Sequence, residues 1–241
     1  MIDTILFDLD GTLLKVSQDA FVGAYFAELG RVFTRLGMNA EMSTKALWAG
    51  TKAMMQGDGR KPNADRFWET FAEHTGLSGE ELGRIEAACN SFYANEFHAV
   101  KSVTEPSDIP KRLVHAMRSK GYTVVLATNP LFPACAVATR LEWIGLAPSD
   151  FELVTHYENS SYCKPNPGYF REIYAKINKR PEQCLMAGNH PIEDMAAGAL
   201  GSETFLVTDC LENAEGADVT GFRRGTLAEL ETYLMAMPDI A

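Results

Sequence analysis

Two carboxylates one residue apart, Asp8 and Asp10, close an apolar, β-prone run that begins at Thr4 and passes into a Gly11-Thr12 turn. Side chains two apart on a strand share a face, so a strand reaching this point sends both acids the same way from its carboxyl end. Open α/β sheets bind ligands at that end. Two acids held so close repel unless a cation or a shared proton intervenes. The pair therefore implies a metal, an acid/base pair or both. An Asp-Gly hairpin turn is the plainer alternative. A calcium loop starting at Asp8 is ruled out, because Leu13 stands where its sixth-position glycine belongs.

Three later segments also carry polar groups where an apolar run stops. Val124 to Ala127 is followed by Thr128 and Asn129, whose hydroxyl and amide suit phosphoryl oxygens or, equally, a turn before Pro130. Lys164 lies in a proline-stiffened loop, Cys163 to Gly168, where it is either a fixed point charge for a phosphate or a solvated lysine. Leu185 to Gly188 leads through Asn189 and His190 to Glu193 and Asp194. Asp194 is there a metal ligand, or an acid complementing a helix dipole.

The elements that must carry these groups fall into two blocks. From Ser17 to about Lys101 the period is helical, with apolar positions from Phe21 to Leu36, Met42 to Met54, Phe67 to Leu77 and Leu82 to Tyr93. Ser78 with Glu81 has the spacing of a capping box for the fourth helix. From Pro106 strands and helices alternate: helix 109–119, strand 122–127, helix 133–144, strand 152–155, helix 168–177, strand 183–187, helix 192–199, strand 204–207 and helix 227–235. Such alternation predicts a parallel sheet with helices on both faces. The expected architecture is an α/β core, residues 1–16 and 103–241, with an all-α insertion over residues 17–102.

Composition narrows the partners. At 241 residues the chain accommodates one or two domains with a full core. A net charge of −10 disfavours nucleic acid and anionic membranes, but leaves room for a small phosphorylated molecule neutralised locally. The five cysteines form no CxxC or zinc spacing and read as reduced thiols. With Asp3 in the first strand and no long apolar run, neither a signal peptide nor a membrane helix is expected, which points to the cytoplasm. The oligomeric state is not encoded legibly.

Taken in order, Asp8-Leu9-Asp10-Gly11-Thr12, Thr128, Lys164 and Gly188 to Asp194 resemble the four motifs of the haloacid dehalogenase superfamily, most of whose members are phosphatases. The resemblance spans the whole α/β core, and the helical insertion is similar to that family's cap of the first type. It implies a Rossmann-like sheet with the first strand central, and Mg²⁺-dependent hydrolysis of a small phosphomonoester through an aspartyl-phosphate. Asp8 would be the nucleophile and Asp10 the general acid and base. Thr128, Asn129 and Lys164 would hold the phosphoryl oxygens. Asp8, Asp10 through its carbonyl, Asn189 and Asp194 would hold the metal. The acid at Asp10 argues against dehalogenation, which needs no proton for its leaving group. Asn189 departs from the family pattern, which has aspartate there, and implies weaker metal binding. A phosphomutase or phosphotransferase, and a non-catalytic regulatory protein with a weakened metal site, are the alternatives. The turn from Gly57 to Pro62 is the one cationic segment of the insertion nominated for substrate contact.

Overall fold

A computed structural model of the protein describes residues 1–240. The first strand, β1 (Thr4–Phe7), is buried along its length, as an apolar run in the middle of a parallel sheet must be. Four helices follow: α1 (Gln18–Arg35), α2 (Ala40–Met55), α3 (Asn63–Thr75) and α4 (Gly79–Ala94). A 3₁₀ segment, Glu96–Val103, leads back to the core. The remaining elements are α5 (Ile109–Ser119), β2 (Thr123–Leu126), α6 (Ala134–Trp143), β3 (Leu153–Val154), α7 (Pro167–Lys176), β4 (Cys184–Gly188), β5 (Glu203–Val207), β6 (Arg224–Gly225) and α8 (Leu227–Met235).

All six strands are parallel, in the order β3-β2-β1-β4-β5-β6. Strand periodicity divides the core. Ile5 and Phe7 of β1, Val124 and Leu126 of β2, and Leu185 and Ala187 of β4 pack with α5, α6, α8 and the helical insertion. Leu6, Val125 and Met186 point to the opposite face and pack with Tyr169, Phe170 and Ile173 of α7. The fold is the expected α/β, Rossmann-like core with an inserted all-α cap, and β1 is central.

Two local expectations differ, and one strand was not expected. Ser78 makes no side-chain cap: Gly79 takes φ +52°, and the Glu81 N–H bonds instead to the Ser78 carbonyl at 3.2 Å. The helix expected over 192–199 is a turn followed by a 3₁₀ helix, Met195–Leu200. Asp194 turns inward there, and the chain reverses at Gly201, φ +105°. The two-residue strand β6 is too short to leave a period in the sequence.

Candidate active site

The carboxyl ends of three adjacent strands deliver the polar groups. Asp8 follows β1, Thr128 and Asn129 follow β2, and Asn189 follows β4. β1 stops at Phe7, three residues short of Asp10, so the two acids do not share a strand face. The chain then curls, with the Thr12 and Leu14 N–H groups both donating to the Leu9 carbonyl. Asp8 and Asp10 nevertheless line one cavity.

Lys164 is the hub. It precedes α7, which Asn166 caps by accepting from the Gly168 N–H at 2.8 Å with Pro167 in the first turn. Its Nζ donates to Asp8 Oδ1 at 2.9 Å and to Asp194 Oδ1 at 2.6 Å, and its side chain is buried. Burial works against the charge, yet Asp194 and Asp8 hold the Lys164 pKa well above its ordinary value. Asp194 spends its other oxygen on the His190 N–H at 2.9 Å. Asn129 is a strut: its Oδ1 accepts from the Lys164 N–H at 3.2 Å and its Nδ2 donates to Glu193 Oε2 at 2.9 Å. Thr128 is fixed through its carbonyl, which accepts from Thr155 Oγ1 at 2.7 Å and the Tyr169 hydroxyl at 2.9 Å.

Asp10 has a separate partner that the sequence analysis missed. Arg140 of α6, completely buried, donates to Asp10 Oδ2. Its guanidinium stacks on Phe132, with 4.5 Å to the ring centroid. One signal was available: Arg140 is the only lysine or arginine in a helix, ACAVATRLEW, that is otherwise mostly apolar. The Asp10 side chain is 32 % accessible because it faces the cavity. Burial raises its pKa, with Arg140 and then Lys164 pulling the other way.

The oxygens suit a hard cation. Thr12 Oγ1 lies 3.0 Å from Asp8 Oδ2 and 3.2 Å from Asn189 Oδ1, so those two oxygens converge. Asn189 Nδ2 is fixed on the Cys210 carbonyl at 2.7 Å, which aims its oxygen inward. Asp10 Oδ1 is buried without a partner. With all of them ionised, Asp8, Asp10, Glu193 and Asp194 would outnumber Lys164 and Arg140 by two charges before any phosphate arrives. Burial accordingly pushes Asp8 up to about 7 against the pull of Lys164, and burial raises Glu193 as well. An all-oxygen donor set with surplus negative charge fits Mg²⁺. Among the described residues, no three acidic, histidine or cysteine side chains converge at ligating distance. Lys164 stands between two of the acids, and an amide takes the place of a third.

The cavity, about 290 Å³, holds Asp8, Asp10, Thr128, Asn129, Asn189 and Asp194 in its wall. Lys164 lies behind them. The nominated Gly57–Pro62 turn does not reach it: Arg60 pairs with Asp58, and Lys61 with Glu69.

The parallel sheet thus brings a lysine-bridged carboxylate pair, Asp8 and Asp194, to the carboxyl ends of its strands. The chain belongs to the haloacid dehalogenase-like hydrolases, whose family model matches residues 2–201. It is a phosphatase-type member. A phosphoglycolate phosphatase of Xylella fastidiosa is 26% identical over 241 residues, covering 98% of this chain and 93% of that protein. In fold the chain is similar to a HAD phosphatase from Thermococcus onnurineus, with TM-score 0.60 and 17% identity over 99% of this chain and all of the other. It is also similar to a HAD-family enzyme of Bacteroides thetaiotaomicron solved with magnesium and inorganic phosphate, with TM-score 0.53 and 16% identity over 90% of this chain and 100% of that one.

Proposed function

We propose that the protein hydrolyses a small phosphomonoester with Mg²⁺ through an aspartyl-phosphate on Asp8, residues 17–102 forming the cap over the site. The observation that carries this reading is the ion-pair chain Asp8–Lys164–Asp194 beside a separately held Asp10 on one cavity wall. Lys164 fixes one Asp8 oxygen and leaves the carboxylate aimed at the cavity. An Asp8 oxygen attacks phosphorus as the bond to the leaving oxygen breaks. Asp10, whose burial favours its protonated form, gives that oxygen its proton. The resulting Asp10 carboxylate then takes a proton from water, whose oxygen attacks phosphorus. The bond to Asp8 breaks, and phosphate and free Asp8 are restored. Arg140 holds Asp10 in place through both half-reactions. Thr128, clamped by its carbonyl, presents its hydroxyl to the phosphoryl oxygens from the wall it shares with Asn129, while Lys164 supports that wall from behind.

Asp8, the Asp10 carbonyl, Asn189 and Asp194, directly or through water, would hold Mg²⁺. Bound there, the ion neutralises charge between the Asp8 carboxylate and the phosphoryl group. The magnesium in the similar Bacteroides thetaiotaomicron enzyme supports the choice of ion.

Phosphate release from a panel of phosphomonoesters, with and without Mg²⁺, tests the reading. Release is expected only with Mg²⁺, and Asp8→Asn should lower kcat by about 10⁴-fold or more while circular dichroism stays unchanged. Activity surviving in Asp8→Asn removes the nucleophile assignment. An isomerised phosphate ester among the products would favour a mutase.

A further inference from the structure

The cavity that starts at the carboxylates continues beneath the helical insertion, and there its character changes. Phe26, Trp48, Phe67, Trp68 and Phe71 form its far wall, and Leu131 and Phe132 its near one. The polar atoms of this region are spent on each other. The Tyr25 and Tyr93 hydroxyls lie 2.8 Å apart, and Trp68 Nε1 donates to the Tyr157 hydroxyl at 3.2 Å. Thr51 Oγ1 donates to the Leu47 carbonyl, and apart from Gln18 and His190 what remains facing the space is ring and aliphatic carbon.

No lysine or arginine is among the residues lining the cavity. The insertion's nearest candidates are engaged elsewhere: Arg60 and Arg66 on Asp58, Lys61 on Glu69 and Arg35 on Glu96. The acids and bases of the lining beyond Asp8, Asp10 and Asp194 are Glu193, Glu212 and His190, whose Nδ1 is engaged by the Ile192 and Glu193 N–H groups. A leaving group carrying a carboxylate or a second phosphate would be desolvated among acids and rings with no lysine or arginine in the wall to meet it, which is costly. An apolar group would gain from the same walls.

We propose that the leaving group is an uncharged, apolar alcohol, alkyl or aryl, which excludes phosphoglycolate and bisphosphates as preferred substrates. This rests on the phosphomonoester reading above and names its substrate class.

Straight-chain alkyl phosphates from ethyl to hexyl test it, because their leaving alcohols are chemically alike and only buried length changes. The expected result is a rise in kcat/KM of about threefold to fourfold per methylene, with hexyl phosphate at least 100-fold better than phosphoglycolate. Alkylphosphonates of the same lengths, titrated by calorimetry, should gain affinity with the same slope and need no turnover. Phe26→Lys should flatten both slopes and improve phosphoglycolate. Trp48→Ala, at a half-exposed position, should reduce the slopes if the first variant does not fold. A flat series in both assays, or phosphoglycolate matching hexyl phosphate, overturns the proposal. A phosphonate slope without hydrolysis of any ester leaves the apolar pocket standing and removes the phosphatase reading instead.

Discussion

At the scale of single residues, Lys164 decides most of the site's electrostatics. It was one lysine in a loop until the fold set it between Asp8 and Asp194 with its side chain 1% accessible. Lys164→Met leaves two buried carboxylates without their cation and should cost about 3–5 kcal/mol in urea unfolding near pH 7. The loss should shrink as pH falls. Burial raises Asp8 and Lys164 pulls it down, so without the lysine Asp8 takes up its proton at a higher pH than in the parent protein, and the uncompensated charge disappears. Equal destabilisation at pH 5 and pH 8 would contradict this origin. Asn189 has two duties, its oxygen beside Asp8 and its Nδ2 on the Cys210 carbonyl. Asn189→Asp is expected to tighten Mg²⁺ in calorimetry by adding a charge. It should also destabilise the metal-free protein by about 1–3 kcal/mol, because an oxygen replaces the donor to that carbonyl. Unchanged Mg²⁺ affinity would show that the amide already serves as well as a carboxylate.

At the scale of elements, the strand ends work because backbones approach closely there. A Cβ on Gly188, the last residue of β4, would stand 2.2 Å from the Asp194 carboxylate. Gly188→Ala should therefore push Asp194 off Lys164. The expected loss is about 10²-fold in kcat, with a fold that circular dichroism still reports as native. A variant with wild-type kcat would mean that the Asp194–Lys164 contact is dispensable. Gly11 has a similar part, at φ +81° against the Asn189 amide. The capping box expected at Ser78 failed because Gly79 adopts φ +52°, whereas the Asn39 cap of α2 formed, accepting from the Met42 N–H at 2.9 Å. Whether a Ser, Asp or Asn caps depends on the backbone that follows it. Spacing alone does not settle that.

At the scale of the molecule, the helical insertion joins the core through two strands of chain and a set of hydrogen bonds across the cavity, the buried Asn63 amide among them. Lys15 and Glu105 pair where the chain leaves and returns, with a backbone bond at 2.8 Å and an ion pair at 2.7 Å. Across the cavity, the α3 start is tied to the core: the Asn63 and Ala64 N–H groups donate to the Ser160 and Tyr157 carbonyls. The Asn63 side chain, completely buried, donates to the Pro130 and Tyr162 carbonyls, both at 3.3 Å. Asn63→Ala removes those side-chain bonds and should loosen the closed arrangement. Faster proteolysis near residues 15–17 and 103–106, with KM raised several-fold, is expected. Unaltered cleavage would place the closing force in the aromatic contacts instead. Among the described residues, no helix is long and apolar enough to cross a membrane.

The sequence by itself determined the architecture, because period 2 and period 3.6 are local signals and alternation of strands and helices forces a parallel, doubly covered sheet. It also placed the candidate polar groups at strand ends: Asp8 and Asn189 follow their strands directly and Thr128 comes one residue later, so no long-range information is needed to locate them. Tertiary structure alone decided the partnerships. Arg140 lies 130 residues from Asp10, and Lys164 lies 156 from Asp8. No period or motif spacing encodes a contact across that distance. The aromatic wall over the site was legible only as helix core, since a ring facing a cavity and a ring facing a neighbour leave the same apolar stripe.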